Sequence, residues 1–263
     1  MPPIQSLDLT SKTALITGAS KGIGLAAAQV LSSYGANVVL AARRTQPLEE
    51  AAAALRETGA QAAHVTLDVT EFSSFQNAVQ TSVNTFGRID ALINNAGTID
   101  PIAHLIDSDP GLWASAVDTN LKGVYFGMRA VLPIMREQGA GRVINISSGA
   151  ANSKLEGWSH YCATKAAAKR LTEIAHKELD GSGVHVIGLS PGTVATNMME
   201  KIKASGMNPV SQIDWSKHIP PTWVGEAIAY LCGPNGAQHA GTDFSIKTPE
   251  GREMVGLPSD DLG

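Results

Sequence analysis

The chain has 263 residues, 43 % of them hydrophobic and 17 % charged, with a formal net charge of −4. That composition belongs to a globular chain large enough to bury a core without disulfide or metal staples. The negative balance gives no electrostatic reason to bind nucleic acid or an anionic membrane surface. No apolar run approaches the ~20 residues that a membrane span needs.

In chain order, residues 13–17 read as a strand and 24–34 as a helix. A strand at 37–41 and a helix at 48–58 follow, then strands at 63–67 and 91–94. A long helix is predicted at 109–138, a strand at 142–147, a helix at 162–180, a strand at 184–189 and a last one at 243–247. The strands are apolar at nearly every position, the pattern of strands buried on both faces of a parallel sheet. Strand–helix alternation predicts βαβ units with right-handed crossovers. The expected fold is α/β, a Rossmann-type doubly wound parallel sheet of about seven strands with helices on both faces. Ligands then bind at the carboxyl ends of the strands. No repeat or long linker divides the chain, so one domain over residues 1–263 is expected.

The two cysteines, Cys162 and Cys232, are too few for a disulfide framework and too isolated for zinc. The seven histidines show no metal-ligand spacing, so no metal is expected. Residues 1–5 lack the basic and apolar regions of a signal peptide, and a cytoplasmic location is expected.

The first strand runs into Thr17-Gly18-Ala19-Ser20-Lys21-Gly22-Ile23-Gly24. Glycines there let the backbone turn tightly and approach a pyrophosphate. The following helix N-terminus offers free N–H groups and partial positive charge to the phosphates. At the end of the second strand, an acidic residue would bond the ribose 2′-hydroxyl of NAD. Here that end reads Leu40-Ala41-Ala42-Arg43-Arg44, and Lys21 adds a second cation. A guanidinium suits a 2′-phosphate, so NADP(H) is the expected cofactor.

Tyr161 and Lys165 are four residues apart on a predicted helix and share a face. A nearby ammonium is expected to lower the tyrosine pKa toward the range useful for acid–base catalysis. Ser148 lies just past the strand at 142–147, at the top of the sheet, where its hydroxyl can hold a carbonyl oxygen. Ser147 competes for this role, but adjacent strand residues point to opposite faces.

The G-x-x-x-G-x-G spacing after Thr17, with Asn94-Asn95-Ala96-Gly97, Asn120, Ser148, Tyr161, Lys165 and Pro191-Gly192 in order, resembles the short-chain dehydrogenase/reductase family. The resemblance covers about residues 10–197 and implies Asn120, Ser148, Tyr161 and Lys165 as catalytic residues. It implies that the Asn120 carbonyl holds a water beside Lys165 in a proton relay. Cofactor contacts are implied at Gly18, Ser20, Lys21, Gly22, Ile23, Gly24, Arg43, Asp68 and Val69. Asn95, Ala96, Gly97, Tyr161, Lys165, Pro191, Gly192, Val194 and Thr196 complete the set. Asp68 taken alone fits a turn or cap aspartate equally well.

The resemblance also implies a substrate lid at about residues 193–220 and a homodimer or homotetramer. Leu155 and Trp158 fall where an apolar pocket would be lined, and Met198, Met199 and Met207 are expected either to line it or to pack in the core. His160, next to Tyr161 on the helix, is expected to point elsewhere, and Cys162 to pack. The tail from Gly241 lacks the Val-Asp-Gly-Gly turn usual in the family. With the segment 157–165 it looks more like the sepiapterin reductase/benzil reductase branch.

The function these readings support is NADPH-dependent reduction of a ketone or 1,2-diketone, Tyr161 giving the proton. The alternatives are an NADP-dependent alcohol dehydrogenase running oxidatively, and a non-catalytic NADP(H)-binding regulator.

Overall fold

In a computed structural model, which describes residues 7–259, seven parallel strands form one sheet in the order β3-β2-β1-β4-β5-β6-β7. They are β1 (Thr13–Thr17), β2 (Asn37–Ala42), β3 (Ala62–Thr66), β4 (Ala91–Asn94), β5 (Gly141–Ile146), β6 (Val184–Ser190) and β7 (Asp243–Ser245). Residues 1–5, read above for a leader, lie outside the described part. The expected Rossmann-type doubly wound sheet is the one observed. The chain winds outward from β1 to β3, then crosses back to place β4 on the other side of β1. That reversal makes a switch point between the ends of β1 and β4, where ligands of such sheets bind.

The helices are α1 (Gly22–Ser33), α2 (Thr45–Glu57), α3 (Phe72–Phe86), α4 (Pro110–Val117), α5 (Gly123–Gln138), α6 (Ser159–Glu178), α7 (Asn197–Ser205), α8 (Pro221–Cys232) and α9 (Pro249–Val255). One face of the sheet packs Ile16, Leu40, Ile144 and Ile187 against α1, α2 and α8. The other packs Leu15, Val39, Val143 and Val186 against α3, α5 and α6. Side chains alternate across each strand, so consecutive apolar residues feed both layers. Helix α2 shows the matching stripe, with Leu48, Ala52 and Leu55 buried at helical spacing. Asp109 caps α4 by accepting from the Leu112 amide at 2.8 Å, with Pro110 beginning the helix.

The structure departs from the predicted elements in four places. The single helix expected at 109–138 is α4 and α5 joined by a π-helical turn, Asp118–Lys122. Helix α6 begins at Ser159 rather than 162, so Tyr161 lies in its first turn. Strand β7 stops at Ser245, because Thr248 caps α9 by accepting from the Gly251 amide at 3.1 Å. Helices α3 and α8 supply crossovers that the reading above left unassigned.

A third cluster lies beyond the strand ends: Ile99, Ala150, Trp158, Tyr161, Met199 and Ile202. It is covered by the segment that leaves the sheet after β6 and returns at α8. A bridge between Val194 and Ile219 closes the base of that excursion.

Candidate active site

The glycine turn is held from below. Thr17 Oγ1 is buried, donates to Ile93 O at 3.2 Å, and accepts from the amides of Asn95 and Ala96, each at 3.0 Å. Asn95 Nδ2 donates to the carbonyls of Thr17 at 2.8 Å and Gly18 at 3.3 Å. The ends of β1 and β4 are thus tied across the switch point. A Cβ at Gly24 would stand 2.6 Å from both Asn95 Nδ2 and Gly18 O, which only glycine avoids. Gly22 turns with φ +57, and a Cβ there would meet only Thr196, at 3.5 Å, so the space above the turn is open.

Lys21 is the N-cap of α1, and its side chain makes no capping hydrogen bond. The first-turn amides of a helix have no intrahelical acceptor, which suits them to an anion. Lys21 and Arg43 are exposed, and neither forms an ion pair among the described residues. Arg43 follows β2 directly, with Arg44 next as the N-cap of α2. Backbone donors at the strand ends fit the phosphates of a nicotinamide dinucleotide.

At the end of β5 the two serines separate as strand alternation requires. Ser147 Oγ turns to β7 and donates to Asp243 Oδ2 at 3.1 Å. Ser148 caps the short helical turn Gly149–Asn152, accepting from the Ala150 amide at 3.2 Å. It also faces Tyr161. Burial pushes the Tyr161 phenol up to about 12, and a hydrogen bond from Ser148 opposes that rise. This corrects the expectation that Lys165 sets the tyrosine low: within the polypeptide, desolvation of the phenolate dominates. Lys165 Nζ lies 5.6 Å from the Tyr161 ring centre and donates to Ile146 O at 2.7 Å. Burial brings Lys165 down to about 8, with Asp243 opposing.

Asn120 is fully buried in the π-helical turn. Its amide accepts from Thr98 N and donates to Thr98 O, both at 2.8 Å. The side chain therefore clamps the helix to the loop after β4. A π turn shifts the i→i−4 ladder and leaves backbone carbonyls free for other partners.

The model for short chain dehydrogenases matches residues 12–206. The chain is a short-chain dehydrogenase/reductase. An uncharacterized oxidoreductase of Staphylococcus saprophyticus is 36 % identical over 226 residues, 85 % of this chain and 90 % of that protein. A 3-alpha-(or 20-beta)-hydroxysteroid dehydrogenase of Mycobacterium tuberculosis is 32 % identical over 255 residues, 97 % of this chain and 94 % of that one. Among solved structures, a variant of actinorhodin polyketide ketoreductase with NADPH superposes with TM-score 0.83 at 30 % identity. It covers 89 % of this chain and 95 % of its own.

Within this short-chain dehydrogenase/reductase, Ser148, Tyr161, Lys165 and Asn120 gather at the strand ends beside the glycine turn. Asp68 makes a local contact: Oδ1 accepts from Thr70 N at 3.0 Å and Thr70 Oγ1 at 2.8 Å. Val69 is buried against Gly123. Thr196 Oγ1 bonds Val194 O at 3.3 Å, beside the Val194–Ile219 bridge. Pro191 is buried, and Gly192 packs beneath Lys247. Ala96 and Gly97 follow Asn95 at the partly exposed rim, and Ser20 and Ile23 border the glycine turn. His160 does turn away from the site, to Ile99 O at 2.9 Å, and Cys162 packs against the third cluster.

The sequence reading passed over a buried polar ladder behind the site. Asn94 Nδ2 donates to Asn145 Oδ1 at 2.8 Å, and Asn145 Nδ2 donates to Thr172 Oγ1 at 2.9 Å. The signal for it was present, as an asparagine at matching places in two otherwise apolar strands. Among the described residues no helix is long and apolar enough to cross a membrane.

Proposed function

We propose that this enzyme reduces the carbonyl of a ketone or 1,2-diketone to a secondary alcohol with NADPH. The observation that carries the reading is the meeting of Ser148, Tyr161 and Lys165 beside an uncapped helix N-terminus flanked by Lys21 and Arg43. NADPH, when bound, supplies the hydride; the phosphates suit the α1 amides and Lys21, and the 2′-phosphate suits Arg43.

The chain's own residues handle the oxygen. Ser148 donates a hydrogen bond to it and so stabilises the charge that builds there. Tyr161, a neutral phenol at neutral pH, gives its proton to the same oxygen. Lys165, one turn along α6, offsets the negative charge left on the phenolate. Asn120, in the π-helical turn beside α6, would take part in the relay that returns the proton. Val194 and Thr196 would hold the nicotinamide end of the cofactor, and Asp68 its adenine end.

The apolar cluster of Trp158, Met199 and Ile202 favours a hydrophobic ketone. Names among similar proteins agree in kind: a hydroxysteroid dehydrogenase and a polyketide ketoreductase each act at a carbonyl or its alcohol. The segment 193–220 then acts as the lid. Exposed Leu105, Ile106, Leu112 and Tyr125 favour a homodimer or homotetramer.

The test follows NADPH and NADH oxidation against steroid ketones, aryl ketones, β-ketoesters and 1,2-diketones. Tyr161→Phe should lower kcat by about 10³-fold with the melting temperature unchanged. Reduction of no carbonyl, or full activity in Tyr161→Phe, refutes the proposal.

A further inference from the structure

Behind the reacting face lies a carboxylate that the mechanism above does not use. Asp243 opens β7, and its register partner on β6 is Gly188. A Cβ at Gly188 would stand 2.6 Å from Asp243 Oδ1, so the glycine leaves the room that the carboxylate fills. Oδ2 accepts from Ser147 Oγ at 3.1 Å, while Oδ1 is buried without a hydrogen-bond partner among the described residues. A carboxylate so placed is costly unless a cation compensates it.

The geometry leads to Lys165. Its ammonium donates to Ile146 O, and the next residue is Ser147, which holds Asp243. One peptide unit therefore separates the two charged contacts. The adjoining β5 and β6 residues, Ser147 and Gly188, carry no charge. On α6 the charged groups acting on Asp243 are Lys165, Lys169 and Glu173. Lys169, the larger of the two lysine effects on Asp243, is half-buried and held by Asn152 Oδ1 at 2.9 Å, outside the reacting group. Lys165 is the buried cation, at 5 % exposure.

We propose that Asp243 is a positioning residue whose carboxylate is the counter-charge that keeps Lys165 an ammonium in the buried floor of the site. The mutual effects have the matching signs. Burial lowers Lys165 and Asp243 raises it; burial holds Asp243 above its ordinary value with Glu173 adding to the rise, while Ser147, Lys169 and Lys165 pull it back. Without the carboxylate, desolvation would act on Lys165 unopposed. The inference deepens the reading of Tyr161 and Lys165 as the acid–base pair and rests on it, so its test reads the Lys165 proton directly.

The full-length protein is labelled at lysine ¹³Cε, and the Lys165 signal is assigned by its loss in Lys165→Arg. Its NMR shift is then followed against pH. In Asp243→Asn, which keeps the shape and an acceptor for Ser147, the midpoint should fall by about one pH unit, a tenfold loss of proton affinity. The alkaline limb of reductase activity should move down with it. Ser147→Ala, which keeps the charge, should move the midpoint less than half as far. An unchanged midpoint in Asp243→Asn overturns the proposal, as does an equal fall in Ser147→Ala. Asp243→Ser, smaller than the space above Gly188, gives the same reading if the amide variant does not fold. A shifted midpoint in a protein that reduces no carbonyl upholds the counter-charge and refutes the reductase reading instead.

Discussion

Around β1 and β2 the site is made of backbone, and around β5 to β7 it is made of side chains. In the first region, Thr17 and Asn95 spend their hydrogen bonds on shaping a turn, and the groups left for a ligand are amides and two exposed cations. In the second, Ser148, Tyr161 and Lys165 offer their own polar atoms, supported by Asn145, Ser147 and Asp243. The difference sets what each region tolerates. Added bulk should ruin the first, whereas loss of a single polar atom should ruin the second.

The largest effect expected is that of Gly24→Ala. Its new methyl meets Asn95 Nδ2 and the Gly18 carbonyl at 2.6 Å, and backbone cannot move aside cheaply. Urea denaturation should show a loss of about 3 kcal/mol, and cofactor affinity by calorimetry should fall with it. A neutral result would break the claim that this region works by close backbone approach.

Asn145→Ala comes next. It removes the acceptor of the Asn94 amide's shorter bond and the amide donor to Thr172 Oγ1, leaving Asn94 Nδ2 only a 3.5 Å contact to the Val124 carbonyl, at a cost of about 2 kcal/mol by the same measurement. Cofactor affinity should hardly change, and a fall in affinity without a fall in stability would erase the contrast. Arg43→Ala should weaken NADPH binding by about tenfold, near 1.4 kcal/mol, and leave NADH untouched. Equal losses would remove the 2′-phosphate contact.

The smallest effect is a pH dependence at the junction of the two regions. Burial lowers the His160 pKa, with the Ile99 carbonyl and Asp100 opposing. The unfolded chain therefore takes up the proton first. Stability is complete above the unfolded value of about 6.5 and declines as pH falls below it. The melting temperature should drop between pH 7 and pH 5, and less steeply in His160→Gln.

Much of the β1–β2 region was legible because glycine spacing and strand-end charge are local in sequence. The divergence of the two serines was legible for a similar reason: strand alternation alone turns Ser147 and Ser148 to opposite faces. The π-helical turn was not, because residues 118–122 have ordinary helical composition and the shifted ladder accompanies a clamp to Thr98, 22 residues away. The Tyr161 pKa was misjudged because pairing with Lys165 can be read from spacing, whereas burial beneath Trp158 and Met199 cannot. Asp243 escaped notice because its partner Ser147 lies 96 residues earlier.

The latch between Asn95 and Thr17 has a consequence for folding. Those residues are 78 positions apart, and the hydrogen bonds joining them depend on β4 lying beside β1. A chain that has built only β1, α1 and β2 has every glycine of the turn and the bond from the Ala19 amide to the Ala41 carbonyl, but not the latch. Distant pairings of this kind form slowly, since the intervening loop must close first. The latch thus waits on the pairing of β4 with β1, and tight dinucleotide binding during refolding would report that the sheet has closed across its switch point.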